Sequence, residues 1–202
     1  MITKKDYLLV SIIGFFFGLL LLPVLNNIKL PFAEITFSNA FLIVVGFVIF
    51  ANFALWLTSL LSRLFPVLLQ IAKFVAVGGL NTLLDLGILN TLIFLSGIAV
   101  GWWYSIFKGI SFIAAVINSY FWNKHWTFGV SDSANIKEFS QFMAVSLVGF
   151  AINVGAASLL VNFIGSPESI SLERWANIGA LSATIISLVW NFVGYKFIVF
   201  KR

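Results

Sequence analysis

Long apolar stretches follow one another along almost the entire chain, separated only by short polar segments. Each stretch approaches or exceeds the roughly 20 residues that a helix needs to cross about 30 Å of hydrocarbon. Backbone groups in lipid must be satisfied within the segment, and the strict alternation of a barrel strand is absent, so we expect helices. The sequence predicts six transmembrane helices, at about 7–25, 40–62, 71–95, 103–123, 140–164 and 176–198.

The composition excludes a soluble globular protein. Of 202 residues, 61% are hydrophobic and 9% are charged, so a water-soluble fold would lack the polar surface to cover its interior. The chain contains no cysteine, which excludes disulfides, thiol catalysis and thiolate metal sites. The fold class is therefore predicted to be an all-α, polytopic membrane protein.

Basic residues lie mostly on one side of the predicted helices. Only Lys29, Lys108 and Arg174, of twelve Lys and Arg, fall on the side opposite the termini. The positive-inside rule therefore predicts a multi-pass protein of the cytoplasmic (inner) membrane with both termini in the cytoplasm. Attraction to anionic membrane lipid explains the net charge of +5, and no nucleic-acid partner is expected.

The last four predicted helices contain an internal repeat. A shift of 68 residues aligns Phe74–Gly87 with Phe142–Gly155, and four of the aligned residues are identical. In this alignment Asp85 lies opposite Asn153. Repeats in membrane proteins often locate the functional site, so these positions are candidates for one.

A second alignment extends the repeat to the following helices. A shift of 72 residues places Asn123–Phe128 over Tyr195–Phe200 and matches Lys124 to Lys196. Each copy contains two helices, so both copies begin and end on the cytoplasmic side as parallel tandem helical hairpins.

The repeat divides the chain into two predicted parts. Residues 1–66 are an N-terminal two-helix membrane extension, and residues 71–202 are a four-helix membrane domain. Within this domain, repeat one covers about 71–128 and repeat two about 139–202. The extension has no counterpart in the repeat.

The four-helix domain resembles the GtrA-like membrane proteins. Its first copy has an aromatic residue before Val-Gly-Gly, a following Asn-Thr and an Asp, and the copy ends in Asn-Lys-His-Trp-Thr-Phe. The resemblance covers about 71–202 and is carried by Phe74, Val77, Gly78, Gly79, Asn81, Asp85, Asn123, Lys124, Trp126 and Phe128, with Asn153, Asn191, Lys196 and Phe200 in the second copy. Two features differ from the family pattern: Lys124 stands where arginine is common, and the extension is additional.

The resemblance implies a function. Proteins similar to this one are thought to be flippases for polyprenyl-phosphate-linked sugars, working beside a membrane glycosyltransferase in cell-surface polysaccharide or cell-wall glycosylation. Related domains are fused to dolichyl-phosphate-mannose synthase-like enzymes. One alternative is a scaffold that recruits or anchors a polyprenyl-phosphate glycosyltransferase, and another is a small proton-coupled exporter. A homodimer is a further candidate, because four repeat helices form a thin bundle.

Five polar residues inside the predicted spans form a candidate intramembrane polar seam: Asn81, Asp85, Asn118, Asn153 and Asn191. A central Asp costs roughly 2.5 to 3.5 kcal/mol to insert, so Asp85 is expected to face protein or water and to have a partner. A functional role is favoured for Asp85, since ionisable groups at this depth usually mark a pathway. For the asparagines, a role in a path and simple hydrogen bonding between helices both remain open.

The candidate head-group site is at the predicted cytoplasmic helix ends. Lys124 and Lys196 suit a lipid phosphate as point charges, with Asn123 beside the first of them. Trp126 offers an apolar wall for a prenyl chain or a stacking face for a sugar. The alternative is an ordinary aromatic belt with a snorkelling cation. Lys108, near the outer end of its helix, is expected to snorkel outward.

The sequence indicates no enzyme active site and no cofactor. Gly-rich phosphate loops, nucleophile elbows and paired catalytic carboxylates are missing. His125 is the sole histidine, and clustered carboxylates are missing, so a metal site is not expected.

Overall fold

A computed structural model describes residues 2–28, 36–98, 100–167, 169–170 and 172–201. These residues form six α-helices: α1 Lys4–Ile28, α2 Phe37–Leu61, α3 Val67–Ser96, α4 Gly101–Trp122, α5 Ile136–Ser158 and α6 Leu172–Gly194. All six are long and apolar enough to cross a membrane. The predicted all-α fold with six transmembrane helices is therefore confirmed. Of the predicted outer basic residues, Lys29 lies outside the described residues, and Arg174 is described by its backbone alone.

The chain divides into two compact units, Met1–Gly129 and Val130–Arg202. The first unit contains α1 to α4, and α1 packs against both α2 and α3. The predicted N-terminal extension therefore shares a core with the first hairpin. The buried core cluster of this unit is Val10, Ile13, Leu55, Val77, Leu80 and Trp126.

Two glycines allow α1 to approach α2 closely. A Cβ added at Gly14 would lie 2.8 Å from the carbonyl oxygen of Phe47, and one added at Gly18 would lie 2.7 Å from the Cα of Val44. Side chains larger than hydrogen at these positions would push the two backbones apart. Because lipid gives little hydrophobic driving force between helices, this close contact is a main source of their association.

The first hairpin consists of α3 and α4 and ends in a π-helical turn. The left-handed Gly97 (φ 70°) terminates α3, and its N–H donates to the carbonyl of Ile93 at 2.8 Å. After α4, residues Asn123–Thr127 form the π-helical turn, which closes where the N–H of Phe128 donates to the carbonyl of Asn123 at 2.8 Å.

The second hairpin consists of α5 and α6. Asn135 caps α5 by accepting a hydrogen bond of 2.8 Å from the N–H of Glu138. The chain after α6 forms a π-helical turn at Tyr195–Val199, closed by the N–H of Phe200 at 2.8 Å from the carbonyl of Tyr195. This turn lies 72 residues after the turn at Asn123–Thr127, which is the shift found in the sequence. The match favours the predicted repeat, which itself stays a prediction.

Candidate intramembrane polar site

Asp85 lies at the centre of a polar group between α3 and α4. One carboxylate oxygen forms an ion pair with Lys108, and the other accepts a hydrogen bond of 2.5 Å from the hydroxyl of Ser111. Ser111 is fully buried, whereas the side chains of Lys108 and Asp85 are 43% and 21% exposed. The ion pair is therefore held within a membrane-spanning hairpin and is open on one side.

The pairing of Lys108 differs from the expectation that this residue snorkels outward. The α3 and α4 helices are joined by a short connection between Gly97 and Val100 and run in opposite directions from it. Asp85 lies twelve residues before Gly97, and Lys108 lies eight residues after Val100. The long lysine side chain spans the remaining difference in depth. Counting residues from the turn would have identified both Lys108 and Ser111 as partners for Asp85.

Asn81 and Asn118 form a second polar layer, one helical turn from Asp85. The Asn118 amide nitrogen donates to the Asn81 amide oxygen at 2.6 Å. The Asn81 nitrogen is buried and has no hydrogen-bond partner among the described residues. This layer therefore joins the helices and also retains a buried donor that a polar ligand could use.

The predicted head-group residues of the first hairpin lie in its π-helical turn. The Asn123 nitrogen donates to the Ser119 carbonyl at 2.9 Å, whereas its amide oxygen is buried and accepts no hydrogen bond from the described residues. Lys124 is fully buried, with its ammonium 5.7 Å from the centroid of the Tyr120 ring. A head group would reach Lys124 only after side chains around it move. The phosphate role of Lys124 stays a prediction.

Trp126, the remaining head-group candidate of this turn, belongs to a cluster around Asp6. Asp6 is buried, forms an ion pair with Lys73, and accepts a hydrogen bond of 2.9 Å from the indole N–H of Trp126. The Lys73 ammonium lies 5.4 Å from the Trp126 ring centroid. This cluster ties the start of α1 to α3 and to the π-helical turn.

Thr3 completes the Asp6 cluster. Its N–H and hydroxyl donate to Asp6 at 2.9 and 2.8 Å, and the Asp6 N–H donates back to the Thr3 hydroxyl at 3.3 Å. This cluster was not predicted from the sequence. The Thr-Lys-Lys-Asp pattern signals such a reciprocal cap, but Lys73 and Trp126 are 67 and 120 residues away from Asp6.

The two asparagines of the predicted seam in the second unit lie between α5 and α6. The Asn153 nitrogen donates weakly to the hydroxyls of Thr184 and Ser187, at 3.4 and 3.3 Å. The Asn191 amide oxygen is buried and accepts no bond from the described residues. It lies against Gly149, where an added Cβ would come within 2.1 Å of it. Both asparagines therefore contribute to the contact between these helices.

Lys196 lies in the π-helical turn of the second hairpin. Its ammonium is 5.6 Å from the ring centroid of Phe192 and 5.7 Å from that of Phe197, and the residue is half-buried. The adjacent Tyr195 is buried, and its hydroxyl lies 2.7 Å from that of Ser146. Lys196 thus combines an aromatic environment with a partly accessible charge, and its phosphate role stays a prediction.

Comparison with known proteins places residues 73–200 in a family model described as GtrA/DPMS, transmembrane domain. The uncharacterized membrane protein YngA of Bacillus subtilis is 31% identical over 130 residues, which are 64% of this chain and 78% of the relative. The cell wall teichoic acid glycosylation protein GtcA of Listeria monocytogenes is 27% identical over 135 residues, which are 65% of this chain and 85% of the relative. No solved structure matches the chain significantly. The helices α1 and α2 precede the matched family region.

Proposed function

We propose that this chain, which belongs to the GtrA/DPMS transmembrane-domain family, translocates a polyprenyl-phosphate-linked sugar across the cell membrane. The sugar would then be used for glycosylation of a cell-surface polymer. The relative GtcA, named for cell wall teichoic acid glycosylation, supports a role in a glycosylation process at the membrane. In this proposal the chain moves its substrate without changing it chemically.

The observation that carries the proposal is the open polar group of Asp85, Lys108 and Ser111 inside the first hairpin. A sugar phosphate crosses hydrocarbon slowly, because each unsatisfied polar group costs several kcal/mol there. The side chain of Lys108 is 43% exposed, so its ammonium offers a positive charge to the phosphate within the hairpin. Ser111 continues to hold the Asp85 carboxylate if Lys108 exchanges its partner.

Further polar groups lie between this group and the predicted cytoplasmic end. The Asn81–Asn118 layer is about 6 Å along the helix axis from Asp85, and Asn123 is about 7.5 Å beyond Asn118. Asn81 has a donor and Asn123 an acceptor without a hydrogen-bond partner among the described residues. Sugar hydroxyls would bond to these atoms in succession, while the prenyl chain remains in an apolar environment.

Reconstituted vesicles test this proposal. A labelled polyprenyl-phosphate-linked sugar is loaded, and its arrival in the opposite leaflet is followed with a reagent that does not cross the membrane. We expect the protein to accelerate this step and the Lys124→Ala plus Lys196→Ala variant to slow it. The control is Lys137→Ala plus Lys201→Ala, which removes two exposed lysines. Equal rates in both double variants would contradict the phosphate role of Lys124 and Lys196.

A scaffold for a membrane glycosyltransferase is the second candidate, and the surface of α2 favours it. Leu55 is the buried residue of this helix. Large apolar side chains cover its exposed surface, including Phe41, Phe50, Phe53 and Trp56. Such a surface suits another membrane protein as well as lipid. Co-purification of a glycosyltransferase, together with no translocation in vesicles, would favour this function over transport.

A further inference from the structure

An apolar cavity of about 460 Å³ lies within the first unit, between α1, α2 and α3. Its size is within the range of about 300 to 1,000 Å³ that is typical of small-molecule sites. The lining residues used below are Phe17, Phe47, Ala51, Lys73, Ala76 and Gly79. The cavity is partly open, and neither the repeat nor the polar residues of the first hairpin account for it.

Small residues on α2 and α3 leave the space that the cavity occupies. Ala51 and Ala76 line it, and Gly79 brings α3 close to α1: a Cβ at this position would lie 3.1 Å from the Phe17 ring. The atoms that line an empty apolar cavity have no neighbours on one side and so lack dispersion contacts there. Apolar ligands enter such cavities readily. In a membrane-spanning bundle, a hydrocarbon chain is the fitting occupant.

The charged groups of this region lie at one end of the cavity. Lys73 lines the cavity and contacts Asp6 and Trp126 at the start of α1. Lys4 and Lys5 belong to the same first turn of α1. Three lysines against one aspartate leave this end positively charged, which suits an anionic head group. A lipid bound here has its head at the predicted cytoplasmic end and its chain directed towards the middle of the membrane.

We propose that the cavity binds the isoprenoid chain of a polyprenyl phosphate before translocation, with the phosphate beside Lys73 and near the exposed Lys4 and Lys5 of the first turn of α1. The inference rests on the proposed function, since it assigns a place to the chain of the same substrate. An isoprenoid chain carries methyl branches and flat double bonds. The rings of Phe17 and Phe47 offer faces for these groups.

The position of the cavity on α3 separates the bound chain from the polar groups. At 100° per residue, Lys73, Ala76 and Gly79 share one face of α3, whereas Asn81 and Asp85 lie on the opposite face. A prenyl chain in the cavity therefore leaves the polar groups accessible. The extension α1 and α2, which precedes the family region, supplies two of the three walls.

Photo-cross-linking in phosphatidylcholine vesicles tests the inference with the full chain. The probe is a polyprenyl phosphate with a photoreactive group near the end of its chain. Ala76→Phe and Ala51→Phe place a ring in the cavity from two different helices, and Ala151→Phe adds the same ring on the exposed surface of α5. We expect adducts on α1, α2 and α3 that decrease about tenfold in both cavity variants, because the added ring occupies the space of the chain. The Ala151→Phe variant keeps the wild-type yield.

Competition experiments identify the occupant. Unlabelled polyprenyl phosphate should suppress the adducts at lower concentration than phosphatidylglycerol or the uncharged polyprenol, and inorganic phosphate should not suppress them. Unchanged adducts in both cavity variants, or equal competition by phosphatidylglycerol, would overturn the inference. Failure of the proposed function has a different signature: specific adducts in the cavity together with no translocation by the wild-type protein.

Discussion

Asp85 of α3 and Lys108 of α4 form an ion pair across the first hairpin, between two helices that are long and apolar enough to cross a membrane. Ser111 holds the second carboxylate oxygen at 2.5 Å. The hairpin thus places opposite charges within the membrane and neutralises them locally. Removal of either charge leaves the other without its partner in a medium that solvates it poorly.

A double-mutant cycle measures the energy of this pair. Asp85→Asn and Lys108→Gln should each lower the free energy of unfolding by about 1 to 3 kcal/mol, because each leaves a partly exposed charge unpaired. The double variant should lose less than the sum, with a coupling energy of about 1 kcal/mol or more. Denaturant-driven unfolding in micelles measures all four proteins. Additive losses would mean that the two charges do not interact.

The Asn81–Asn118 hydrogen bond allows helix association to be separated from transport. Asn118→Leu should cost about 0.6 to 1.7 kcal/mol, the range for interhelical hydrogen bonds in membranes. Replacing both asparagines with leucine should recover much of that loss, because no amide is left without its partner. If the amides form hydrogen bonds with the head group during transport, the double variant should fold but translocate slowly. If this variant translocates at the wild-type rate, the two asparagines only hold the helices together.

Gly149 and Gly155, both on α5, offer a matched pair of substitutions that tests the packing of the second hairpin. A Cβ at Gly149 would come within 2.1 Å of the Asn191 amide oxygen, whereas one at Gly155 meets nothing within 4 Å. Gly149→Ala should therefore destabilise the protein by about 1 to 3 kcal/mol. Gly155→Ala should be neutral or slightly stabilising, since alanine favours a helix. Equal thermal unfolding midpoints of the two variants would contradict the close contact.

The Asp6 cluster should hold α1 against α3. Because the chain has no cysteine, Phe17→Cys with Gly79→Cys introduces the only two thiols of the protein, at a contact between these helices. In this background, Asp6→Ala should lower the yield of a short thiol cross-linker, because Lys73 and Trp126 lose their shared acceptor. Asp132→Ala, which removes an exposed aspartate, is the control. Equal yields would show that the cluster does not position α1.

The overall fold was predictable because lipid allows few solutions. Helices are the form in which an apolar segment satisfies its own backbone, so the lengths of the apolar runs predicted six of them. The contacts between helices were not predictable in the same way. The partners of Asp6 are 67 and 120 residues away, and no periodicity within α1 specifies them.

The candidate site was predicted in part. The cost of a carboxylate at membrane depth pointed to a partner for Asp85, but Lys108 was expected to reach outward. The attraction of a nearby carboxylate outweighs the access to water that snorkelling gives. The burial of Lys124 could not be predicted from the sequence either, since a lysine beside tryptophan at a helix end is usually an interfacial anchor.

Translocation by the charge-pair variants tests the central claim most directly. Vesicles with equal amounts of folded protein are prepared from the wild type, Asp85→Asn, Lys108→Gln, the double variant, and Lys137→Gln as a control for the loss of one exposed lysine. We predict that all variants lacking Asp85 or Lys108 translocate the labelled lipid-linked sugar about tenfold more slowly or worse, equivalent to about 1.4 kcal/mol of barrier. The control should match the wild type. Wild-type translocation by the Asp85→Asn plus Lys108→Gln variant would contradict the account.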